Sequence, residues 1–68
     1  MTNRQIINAI KKLISTEGLK YVTARGFTSS NTYYVVIDNL EWQTAAQFAT
    51  RATGITFEHM NCSMARRK

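Results

Sequence analysis

Thr32-Tyr33-Tyr34-Val35-Val36-Ile37-Asp38 is the one stretch of this chain that is aromatic or β-branched almost throughout. Such residues fit a pleated, half-buried surface, so the run predicts a central strand over Thr32–Asp38. The remainder of the chain reads as material that pairs with this strand or covers it.

Working back toward the N-terminus, residues 19–26 also read as a strand. Lys20, Val22 and Ala24 fall on one face, and Tyr21, Thr23 and Arg25 on the other. Between the two runs lies Gly26-Phe27-Thr28-Ser29-Ser30-Asn31, small polar residues around one aromatic. It predicts an antiparallel hairpin whose loop is longer than the tight two-residue kind. Before the hairpin, Ile6, Ile7, Ile10, Leu13 and Ile14 recur at helical spacing. Thr2 and Gln5 fit a capping box, and Gly18 can supply a left-handed stop. A helix over Asn3–Thr16 follows.

Working forward, Asp38 and Glu41 fit a second capping box. Trp42, Ala45, Ala46, Phe48, Ala49 and Ala52 form an apolar stripe that ends at Gly54. These predict a second helix over residues 40–53, with Trp42 and Phe48 as its larger anchors and Trp42 buried against Val22, Val35 and Ile37. On that reading Trp42→Ala costs about 3–5 kcal/mol. Residues 55–60 alternate as a third strand paired with the hairpin, while the same letters suit a helix capped by Thr56. Residues 62–68, ending Arg66-Arg67-Lys68, read as a flexible basic tail beyond a single domain over 1–61.

The expected fold class is therefore α+β. It is a small two-layer α-β-β-α-β domain, with a three-stranded, mainly antiparallel sheet and two helices on one face. The other sheet face is left open, carrying Tyr21, Thr23, Arg25 and Tyr34. The alternative is a hairpin plus helix-turn-helix, since residues 49–56 resemble that motif and residues 57–66 would then be its recognition helix.

Size bounds the function. A chain of 68 residues buries only about 60% of its unfolded surface, so a sizeable internal substrate cavity is not expected. Hydrophobic content of 44% against 19% charged is that of a globular chain and argues against disorder. Lys and Arg number 9 against 4 acids, a formal charge of +5, which favours an anionic partner. The single cysteine, Cys62, cannot form an intramolecular disulfide, and no signal-like or membrane-spanning run is evident. The expected setting is cytoplasmic, with no membrane partner.

The candidate motifs resolve as follows. Arg25-Gly26-Phe27 resembles the start of the RNP1 box of the RNA-recognition motif, but Thr28-Ser29-Ser30 departs from that box and the family's first strand is missing. His59 and Cys62 make half a zinc ligand set with no second pair, and as a catalytic pair they lack an identified oxyanion hole. No metal, cofactor, small-molecule substrate or enzymatic activity is expected. The basic residues fall in three groups: Arg4, Lys11 and Lys12; Lys20 and Arg25; and Arg66, Arg67 and Lys68. With Tyr21 and Tyr34 they suggest phosphate contact combined with base stacking. The expected function is that of a non-enzymatic nucleic-acid-binding accessory protein using Lys11, Lys12, Lys20, Tyr21, Arg25, Tyr34, Arg66, Arg67 and Lys68. The alternative is a protein-binding regulator, such as a phage or mobile-element inhibitor of a host enzyme. Partners are then nucleic acid or an acidic protein surface, with a homodimer through the open sheet face as a further expectation.

Overall fold

The computed structural model describes residues 1–68. Its elements are α1 (Asn3–Thr16), β1 (Thr23–Ser29), β2 (Thr32–Asp38), α2 (Ala45–Thr53), β3 (Phe57–His59) and β4 (Met64–Arg67). The strands form one antiparallel sheet in the order β1-β2-β4-β3. This is an α+β domain with two helices, and it has four strands where three were expected.

The elements with strong local signals lie where the sequence puts them. The Thr2 hydroxyl accepts from the Gln5 amide at 3.1 Å, and the Gln5 side-chain oxygen accepts from the Thr2 amide at 2.8 Å. Two of the free donors at the start of α1 are thus satisfied. Gly18, at φ 66°, turns the chain after the helix. β2 spans the quoted stretch.

β1 starts four residues later than expected and runs on to Ser29. The cause is a two-residue turn. Ser30 and Asn31 take φ 51° and 62°, the type I′ combination that matches strand twist. That draws Phe27, Thr28 and Ser29 into the strand. Gly26 is a strand residue whose missing side chain makes room for Tyr33; a Cβ there would lie 1.9 Å from the Tyr33 hydroxyl oxygen.

α2 begins at Ala45, not near residue 40. Thr44 and Gln47 form the operative capping box, at 3.2 and 2.9 Å. Asp38 instead pairs with Arg25, and Asn39 and Trp42 have φ of 69° and 65°, which no helix allows. Trp42 is 100% exposed, so it is not the core anchor. Phe48 is, fully buried with Ile6, Ile10, Val35 and Ile37.

The C-terminal segment departs most from expectation. Asn61 Oδ1 accepts from the Ser63 and Met64 amides, both at 2.9 Å, and reverses the chain. Residues 64–67 then enter the sheet as β4 between β2 and β3, so they are neither a free tail nor part of a recognition helix. β3 pairs with β4, not with the hairpin. A single small residue, Ala65, faces the core from β4 and is fully buried.

Cross-strand partners share a sheet face. Val35, Ile37, Ala65 and Phe57 join the helical side chains in the core cluster. Their neighbours in sequence point away from both helices and leave the other face open.

Phe48→Ala should cost about 3–5 kcal/mol, enough to unfold most of a domain of this size. Trp42→Ala should stay within about 0.5 kcal/mol of the parent. Urea denaturation followed by circular dichroism measures both. Comparable losses in the two variants would place Trp42 in the core after all.

Candidate functional site

The open face is built from two rows of residues fixed by strand register. One row runs Arg25, Val36 and Met64 across β1, β2 and β4. The other runs Phe27, Tyr34, Arg66 and Glu58 across all four strands. Phe27 and Tyr34 are stacked, with ring centroids 5.2 Å apart and planes 14° from parallel. Phe27 is 42% exposed although large and apolar. The two rings thus stack on each other, each with one face turned to its partner, on the side of the sheet away from both helices.

The charges beside this surface are matched. Arg25 Nη1 lies 3.1 Å from Asp38 Oδ2. Arg66 donates from Nε to Glu58 at 3.1 Å and also pairs through Nη2 with the same carboxylate. The Arg66 hydrogen bond holds the Glu58 carboxyl below its ordinary pKa, against a smaller upward push from desolvation. In return Glu58, and after it Tyr34, raises the Arg66 pKa. Both arginines keep side-chain exposures of 36% or more, so they are reachable by an incoming anion.

A second feature lies at the end of the sandwich where β1 begins and β2 ends. A groove of about 790 Å³ is lined there by Leu19, Val22 and Leu40, with Tyr21 and Trp42 beside them. Tyr21 is 83% exposed and Trp42 fully so. The Asn39 side chain donates to the Tyr21 carbonyl at 2.8 Å and ties the two walls together. Glu41, on this rim, is the only acid without an ion-pair partner.

The residues expected to act together are thus divided. Arg25, Tyr34 and Arg66 share the open face. Tyr21 and Lys20 do not; they precede β1 and line the end groove. Lys11 and Lys12 are exposed on α1, in the helical layer. Arg67 and Lys68 lie at the opposite end, beside the Ser30–Asn31 turn. Arg67 there donates to Asn3 Oδ1 at 3.0 Å. Phe27 is the face residue that sequence reading missed. The signal for it was an Asn at a turn position that tolerates positive φ, which extends the hairpin by three residues.

Elsewhere, His59 is an exposed residue of β3 and Cys62 an exposed residue of the following turn. No helix is long and apolar enough to cross a membrane. No protein-family model matches the chain, and no curated protein and no solved structure matches it either.

A carboxyl whose pKa is depressed by folding stabilises the folded state above its unfolded pKa, and that contribution disappears as pH falls through the folded value. The stability gap between the parent and Glu58→Gln should therefore be widest near neutrality. It should close as pH drops below the ordinary carboxylate range. Urea midpoints measured across this range test it; a gap independent of pH would show that the Arg66 pair contributes nothing.

Proposed function

We propose that the protein is a non-enzymatic nucleic-acid-binding module that takes single strands on its open sheet face. The observation that supports this reading is the stacked Phe27–Tyr34 pair on an uncovered sheet, with Arg25 and Arg66 in the adjoining positions. Every base has a π face, and one base on an aromatic ring is worth about 1–3 kcal/mol. Only unpaired bases can make that contact, so duplexes are disfavoured. Phosphates would exchange with Asp38 and Glu58 for the two guanidiniums. Because each guanidinium already has a partner, the electrostatic gain is modest.

A second reading, of a protein-binding regulator, rests on Trp42. A bulky aromatic held at φ 65° and fully exposed is an unfavourable arrangement for a residue with no contact to make. Trp and Tyr flanking an apolar groove are the usual anchors of protein interfaces.

Anisotropy titration of labelled oligo-dT, oligo-U and a duplex at two salt concentrations separates the two readings. About two phosphates engaged by the face gives a slope of log K on log salt of about −1 to −2. Phe27→Ala with Tyr34→Ala should weaken single-strand binding at least about tenfold, the equivalent of one lost stacking contact. Lys11→Ala with Lys12→Ala should change it far less. Absence of binding to every oligonucleotide at low salt rejects the nucleic-acid reading. Trp42 is the only tryptophan, so a shift of its emission on adding a candidate protein reports directly on the second.

A further inference from the structure

β1 is the outer strand of the sheet, and its free edge is long. It has seven residues, almost all exposed, whereas β3 at the other edge has three. Proteins usually guard such an edge with proline, lysine or a covering loop. Thr23-Ala24-Arg25-Gly26-Phe27-Thr28-Ser29 has no proline and no lysine, and its one charge is paired on the open face with Asp38.

The turn fixes which groups this edge presents. Ser29 and Thr32 close the two-residue type I′ turn and are a hydrogen-bonded pair. Alternation then directs the N–H and C=O of Phe27, Arg25 and Thr23 toward β2. Those of Ala24, Gly26 and Thr28 point outward, unpaired.

We propose that this edge pairs with β1 of a second copy, antiparallel and centred on Gly26, and joins two sheets into one of eight strands. In that register the outward groups meet in hydrogen-bonded pairs: Gly26 with Gly26, and Ala24 with Thr28 on each side. Arg25 then stands across from Phe27 of the other copy, and Thr23 across from Ser29, in the closer non-hydrogen-bonded positions. The pattern is self-complementary, since the same guanidinium-on-ring contact forms twice about the two-fold axis. A register centred on Arg25 would set the two arginines against each other, and one centred on Phe27 would pair fewer residues. On the helical side β1 itself brings only the small side chains of Ala24 and Thr28, with the Tyr33 ring of each copy lying over Gly26 at the centre of the seam. A contact of this extent belongs to the weak, concentration-dependent class. The two α1 helices come onto the same side of the joined sheet with their Lys11 and Lys12. Added salt therefore strengthens the dimer, the reverse of its effect on nucleic-acid binding.

Sedimentation velocity over a wide concentration range reads the assembly. A dimer that grows with concentration and with salt supports the proposal, and a monomer under all conditions overturns it. The register is read by cross-linking in a Cys62→Ser background. Thr23→Cys mixed with Ser29→Cys should give a disulfide-linked pair under mild oxidation, and neither variant alone should do so. Self-linking of Thr23→Cys in place of the mixed pair overturns the register. Thr28→Pro removes an outward N–H; circular dichroism should show it folded, and sedimentation should show it monomeric. A folded Thr28→Pro that still dimerises overturns the edge contact.

Discussion

The slot between β2 and β3 governs this fold. Both strands are antiparallel to β4, so they run parallel to each other with one strand's width between them. The link from β2 through α2 to β3 is thus a split β-α-β unit, which cannot close its own sheet. β4 fills the gap from the chain's last residues. The Ile37 amide donates to Ser63 at 2.7 Å and the Ala45 amide to Cys62 at 2.9 Å, so the lead-in to β4 is held by β2 and by the start of α2. The strand order and directions equal those of a β-α-β-β-α-β sandwich, with β4 in the place of that arrangement's first strand. The Arg67–Asn3 hydrogen bond ties the end of β4 to the start of α1.

This arrangement explains what the sequence could and could not reveal. α1 carries its own signals within seventeen residues, Thr2 to Gly18: a capping box, an apolar stripe and a terminal glycine. β2 is central and buried by residues that want a strand. Neither depends on distant partners for recognition. β4 does. Its backbone is paired on both sides and only Ala65 must face the core, so Met-Ala-Arg-Arg carries no apolar pattern to read. The start of α2 was misread for a related reason. Asp38-x-x-Glu41 and Thr44-x-x-Gln47 are equivalent locally, and the choice lies in tertiary context: Asp38 is held in β2 opposite Thr23, and the Ala45 amide donates to the Cys62 carbonyl.

The same contest decides how the basic charge is used. Three of the nine cations are held by carboxylates: Arg25 by Asp38, Arg51 by Glu17 and Arg66 by Glu58. Two of these pairs lie on the open face, which is therefore close to neutral. The formal charge of +5 overstates what that face can offer a phosphate backbone. Exposed pairs of this sort add little stability, so their larger effect is to hold guanidiniums in fixed positions beside the aromatic rings.

Of the six cations without a carboxylate partner, Arg4, Lys11 and Lys12 lie on α1, and Lys20, Arg67 and Lys68 sit at the two ends of the strands. Lys20 borders the groove where β1 starts, and Lys68 lies past the end of β4, near the hairpin turn. A seven-residue strand is about 23 Å long at roughly 3.3 Å per residue. An extended ligand laid along β2 would cross the Phe27–Tyr34 surface in its middle and reach a free lysine at either end. Attraction at the ends and stacking in the centre would then act on one chain. On the proposed single-strand reading, the aromatic pair would set the preference for unpaired bases, and the terminal lysines would extend the ligand's reach along the sheet.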